Sequence, residues 1–204
     1  MQADDVKALF TGQDGSYRFA RWGRPIVPVV FGVDDATLSV IKGAVEAVVT
    51  LAGHKMAETD TELGANLMFF FFRDWAELPQ VPGLDRLVPD LAVLCRKLEG
   101  AQANQYRLFR FDERGAIKAV FVFLRMDEAL AAMPAADLAL AQAAEMMCLW
   151  ADTAFKRSAA LAQLEGQVIL RPEIAGVIRA AYDPVMPVVA ADASHALRIH
   201  ARMR

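Results

Sequence analysis

Little in this 204-residue chain belongs to a disulfide-framed, zinc-bound or nucleotide-binding protein. Two cysteines, Cys95 and Cys148, are too few for a disulfide framework. The three histidines are His54, His195 and His200. The last two would lie about 140° apart around a helix, not aligned as an i,i+4 pair would be. Gly12-Gln-Asp-Gly15 and Thr61-Glu-Leu-Gly64 lack the spacing and the lysine of a phosphate-binding loop. No window offers about 18 consecutive apolar residues, which argues against a transmembrane segment. A net charge of −3 and a pI near 5.6 give no global reason to expect nucleic acid or an anionic membrane as partner. Internal repeats, low-complexity tracts and long linkers are also missing, so a single domain over 1–204 is expected. The N-terminus has neither a basic region nor an apolar stretch behind it, and its literal reading is cytoplasmic. A chain with its signal peptide removed would read the same way.

What is present is apolarity. Hydrophobic residues make up 55% of the chain and charged residues 23%, with a mean hydropathy of +0.26. That composition implies a well-buried core, or an interface in a homo-oligomer. A short helix is expected before Phe10, and a strand from Tyr17 to Trp22. A second strand, Ile26 to Val33, is bent or near an edge, because Pro28 cannot donate to a ladder. Asp34 or Asp35 then caps a helix whose apolar positions Leu38, Ile41, Val45, Val48, Val49 and Ala52 repeat at helical spacing up to Gly53. Four consecutive phenylalanines, Phe69 to Phe72, place large rings on both faces of a strand and so put it at the centre of a sheet or close to it. Leu84 to Leu98 reads as one amphipathic helix. Tyr106 to Phe111 and Ile117 to Leu124 form a hairpin around Gly115. Pro134 opens a helix carrying Glu145 to about Arg157, Pro172 opens another, and Ala193 to Met203 closes the chain. The order predicts an α+β fold: a mixed, largely antiparallel sheet of about five strands with helices packed on it.

Two segments carry candidate chemistry. In the Glu145 helix, Ala141, Ala144, Cys148, Ala151 and Phe155 make a stripe of mostly small residues, with Glu145 about 60° from Cys148. Glu145 and Asp152 can be the solvated edge of a core helix, with Asp152 and Lys156 as an i,i+4 pair. Alternatively Glu145 lines a cleft between sheet and helix, the weak candidate for a catalytic general base. No base accompanies Cys148 as a nucleophile, and no ligand set for a metal is visible. A Cys95–Cys148 bridge is compatible with two helices on one sheet and would matter only in an oxidising compartment. In the second segment, Tyr17-Arg-Phe-Ala-Arg-Trp-Gly-Arg24, Arg18, Arg21, Trp22 and Arg24 have the composition of an anion-binding or stacking surface. A half-buried strand with arginines at its margin accounts for the same residues.

The chain resembles a bacterial family of uncharacterised domains with a zincin-like core. The resemblance is carried by Arg21-Trp-Gly-Arg-Pro-Ile-Val27, Gly64-Ala-Asn-Leu67, the hairpin around Gly115 with its return strand Ala119 to Phe123, and Ile178-Arg-Ala-Ala-Tyr-Asp-Pro184. It implies that Ala144-Glu-x-x-Cys148 occupies the place of His-Glu-x-x-His, with both histidines replaced. The implied function is a non-catalytic binding or envelope-associated accessory domain without metal or cofactor, periplasmic, with a small molecule or protein as partner. A hydrolase using Glu145 and an oligomeric structural protein are the alternatives.

Overall fold

The computed structural model describes every residue except Arg157 and Arg204. The chain begins with α1 (Ala3–Ala8), β1 (Phe19–Ala20), β2 (Pro28–Phe31), α2 (Asp35–Leu51) and β3 (Leu67–Phe72). A 3-10 helix (Trp75–Gln80), α3 (Leu84–Leu87) and α4 (Leu91–Gly100) follow, then β4 (Gln105–Phe111) and β5 (Ile117–Arg125). The rest comprises α5 (Glu128–Ala131), α6 (Ala135–Glu145), β6 (Leu161–Leu164), β7 (Gln167–Leu170), α7 (Pro172–Ala181), β8 (Val189–Ala190) and α8 (Ser194–His200).

The main sheet has four strands in the order β2-β3-β5-β4. β3 runs parallel to both of its neighbours, and β4 is antiparallel to β5. The linkers dictate these directions. α2 is long enough to carry the chain back to the start of a parallel neighbour, whereas the tight turn ending at Gly115 (φ 82°) forces β4 and β5 to be antiparallel. The expected sheet of about five largely antiparallel strands is therefore corrected to four strands, with two of three pairings parallel. β1-β8 and β6-β7 form separate two-stranded antiparallel ribbons.

Alternation along β3 and β5 distributes their side chains between two apolar clusters. Leu67 and Phe69, with Val120, Val122 and Leu124, face α2, α6, α7 and α8. Met68, Phe70 and Phe72, with Phe121 and Phe123, face the 3-10 helix, α3 and α4. The phenylalanine strand is thus central and covered on both sides, and each fully buried ring such as Phe69 or Phe123 contributes roughly 1.5–3 kcal/mol. Pro28 opens the edge strand β2, where its missing N–H breaks no ladder. After β2 the chain turns toward the first cluster through α2, and after β3 it turns toward the second. The two strand ends therefore part company. Gly32 sits at this divergence with φ 85°, and a Cβ there would meet the carbonyl oxygen of Phe71 at 2.5 Å. No other residue fits that position.

Two helical expectations change. Leu84 to Leu98 is not one helix: Pro89 interrupts the pattern and Asp90 takes φ 54°, so α3 and α4 are separate. The Glu145 helix ends at Glu145 instead of continuing to about Arg157, a residue outside those described. The β6-β7 ribbon that follows turns through Glu165 (φ 51°) and Gly166 (φ 81°), and no element was expected there. No described helix is long and apolar enough to cross a membrane.

Candidate functional site

Glu145 closes α6, and its position follows from what stops that helix. The indole of Trp22 donates to the carbonyl of Met146 (2.9 Å) and the hydroxyl of Tyr182 donates to that of Met147 (2.7 Å). Cys148 then bridges to Arg21, and the N–H of Leu149 donates to Ala20 (2.9 Å). Groups that would have extended the helix are thus bound by distant parts of the chain. The small-residue stripe through Cys148, Ala151 and Phe155 does not exist as a helical face. Asp152, expected to pair with Lys156, instead accepts a hydrogen bond from Gln13 (3.4 Å).

The Glu145 carboxylate forms an ion pair with Arg107 of β4. Arg107 shares its strand face with Phe109, which packs against the cluster containing α6, and both members of the pair are only 17% exposed. Burial pulls the guanidinium below its ordinary value, to about 10, which leaves it charged at neutral pH. Glu145 is therefore not at a solvated edge. About one helical turn before Glu145, Gln142 donates its amide to Oε1 of Gln105 (2.7 Å), and its own Oε1 is buried without a partner.

Two adjoining clefts straddle the pair. One, of about 490 Å³, is bounded by Tyr106, Phe109, Trp150 and Asp152. The other, of about 780 Å³, extends past Gln105 and Gln142 toward the β6-β7 ribbon. Both are lined by Arg107, Glu145, Phe155 and Lys156. The arrangement presents charges of both signs beside aromatic walls, suited to binding a ligand that is itself mixed in charge.

Arg18, Arg21, Trp22 and Arg24 are not brought together on one surface. Arg18 is exposed and paired with Asp14. Arg21 lies over the ring of Tyr182, 4.9 Å from its centroid, and donates to the carbonyl of Met186 (3.3 Å). Trp22 is 0% exposed and belongs to the core. Arg24 pairs with Asp60 (3.4 Å) and Glu62 (3.0 Å). The alternation of aromatic and basic residues reports a segment that anchors the chain after α6, each arginine having its own separate partner although Nε of Arg21 is left without one.

The cysteines are both free and buried, in different apolar clusters on opposite faces of the sheet. The geometry imagined for a bridge on one face does not occur. Burial pushes both thiols up, so neither is an activated nucleophile. Ellman's reagent is expected to find no fast-reacting thiol in the folded protein and two after denaturation. A mixture of fewer than two on denaturation without reductant would mean that the thiols pair after all. Of the histidines, His54 is bonded to the carbonyl of Arg24 (2.9 Å) and His195 to the hydroxyl of Tyr17 (2.8 Å). No group of three or more His, Cys, Asp or Glu side chains among the described residues is placed to hold a metal ion.

Arg107, Gln105 and Gln142 escaped the sequence reading. A signal existed for Arg107: it sits mid-strand between Tyr106 and Leu108, and the one carboxylate in the apolar run Leu138 to Leu149 needs a cationic partner if it is buried. Gln142 looked like a break in an alanine-rich run and gave no signal of burial. No family model, curated protein or solved structure matches the chain.

Proposed function

We propose that this protein is a non-catalytic binding module, built on a degenerate zincin-like core, that holds its ligand in the cleft along β4 on either side of Arg107 and Glu145. The observation that carries the proposal is the ion pair itself. A carboxylate held through Oε2 against a buried guanidinium is fixed in place and charge-balanced, which suits recognition and positioning more than taking up a proton. The surrounding Lys156, Asp152, Trp150 and Phe155 favour a ligand with both charge signs and an apolar side chain, as in a peptide. The zincin-like frame and an envelope setting follow from the family resemblance, with α6 in the place of the metal-binding helix.

The test is a titration of ¹⁵N-labelled protein with the tripeptide lysyl-phenylalanyl-glutamate, combined with metal analysis of protein purified without added metal. Saturable shifts of the Arg107 side-chain N–H and the Trp150 indole are expected, with no stoichiometric metal. Unmoved resonances at both positions would overturn the binding site. Stoichiometric zinc held by Glu145 or Cys148 would overturn the non-catalytic reading.

A further inference from the structure

A second cavity, of about 410 Å³, lies on the other side of Gln142 from the cleft. It is walled by Ile41, Phe69, Phe71, Met126 and Leu138, and it opens beyond the C-terminal ends of β2, β3 and β5. Its place follows from the chain path. The segments leaving β2 and β3 go to opposite faces of the sheet, and in open sheets with parallel strands this divergence creates the crevice in which ligands settle. Its size lies within the roughly 300–1,000 Å³ usual for small-molecule sites.

The polar groups at its wall define the ligand. The N-terminus of the 17-residue α2 would attract an anion, but Asp34 already occupies that role, accepting from the N–H of Thr37 (2.7 Å). That hydrogen bond holds its carboxyl below the ordinary value, so a negative charge stands where a ligand anion would sit. Gln142 is the independent sign of a ligand. It lines this cavity as well as the larger cleft, it is 2% exposed, and its Oε1 has no partner within the protein. A buried acceptor in an apolar wall is matched by a molecule that brings one donor and little other polarity.

We propose that this cavity binds a small, neutral, largely apolar molecule, aromatic or aliphatic, that donates one hydrogen bond to Gln142. The cavity shares Met133, Leu138 and Gln142 with the larger cleft but differs from it in ligand chemistry and in its remaining lining. Ala135 lines this cavity and not the clefts.

Fluorescence titration with N-phenyl-1-naphthylamine tests the proposal, since this dye is neutral, apolar and carries a single N–H. Saturable one-to-one enhancement is expected. Ala135 is exposed, so A135W should fold and close the mouth, weakening the dye and 1-phenylnaphthalene, which lacks the N–H, by at least about tenfold. Q142L should weaken the dye by about tenfold while leaving 1-phenylnaphthalene unchanged. Absence of saturable binding to the unmodified protein, or binding untouched by A135W, would overturn the proposal. Equal loss of both compounds in Q142L would remove the hydrogen bond from it. Failure of the tripeptide to reach Arg107 bears on the cleft and leaves this result standing.

Discussion

Replacing Arg107 with methionine is expected to destabilise the protein by about 3 kcal/mol, measured by urea unfolding at pH 7. The substitution keeps most of the side-chain volume but leaves the Glu145 carboxylate with its partner removed, in a place only 17% exposed. An uncompensated buried charge is among the costliest single changes, roughly 3–5 kcal/mol when burial is complete. The residual exposure of this pair sets the expectation at the lower end. The double variant R107M/E145L should recover most of the loss, to within about 1 kcal/mol of the parent, because it removes both charges and their desolvation together. The single and double variants thus separate a charge-balance role from simple packing. A loss below about 1 kcal/mol in R107M would mean that water already compensates Glu145. A double variant as unstable as the single one would place the effect in lost packing instead.

The same pair marks how far the sequence could be read. Elements governed by neighbours in the chain were legible. Asp34 caps α2, and the apolar spacing of that helix matches the buried Ile41, Val45, Val48 and Val49. Four phenylalanines foretold a strand covered on both faces, Gly115 the hairpin, and Pro172 the start of α7. Elements decided by distant partners were not legible. Local propensity runs on through Met146, Met147 and Cys148, but Trp22 and Tyr182 take the next carbonyls and Ala20 takes the N–H of Leu149. The β6-β7 ribbon is short and poor in β-branched residues, with Val168 and Ile169 its only members of that class. Strand direction was readable and misread: a 17-residue helix between β2 and β3 already implies a parallel pair. Pro89 likewise already divides Leu84 to Leu98.

The candidate site divides along the same line. Glu145 stands out in the sequence because it is the one carboxylate in the apolar run from Leu138 to Leu149. Its meaning depended on Arg107, 38 positions earlier and on another element, which helical angles cannot reach. The aromatic-basic segment misled for the opposite reason. Its composition matches a binding surface, but composition carries no information about Tyr182, Met186, Asp14, Asp60 and Glu62, which take up its side chains.

Acidification from pH 7 to pH 4 is expected to remove about 3 kcal/mol of stability through one residue, His195. This histidine is 3% exposed, packed against Phe19 with ring centroids 4.3 Å apart. The Tyr17 hydroxyl and Nδ1 of His195 share a hydrogen bond (2.8 Å), while Nε2 is buried with no partner, so a second imidazole proton would have nothing to bond. Burial, reinforced by repulsion from Arg198 and Arg21, lowers the imidazole from 6.5 to about 4. Between these values the unfolded chain binds a proton that the folded protein excludes. Stability is therefore fully present above pH 6.5 and falls as the pH drops toward 4, where the folded imidazole also titrates. His54, lowered by its own burial, adds to the same trend. The variant H195Q keeps an acceptor for the Tyr17 hydroxyl and cannot titrate, so it isolates the effect. Urea unfolding at pH 7 and pH 4 should show the parent losing about 3 kcal/mol more than H195Q across that interval. Equal losses would assign the acid sensitivity to other groups, His54 first. A larger loss in H195Q would mean that His195 is stabilised by its charge, the reverse of what its burial against Phe19 and two arginines requires.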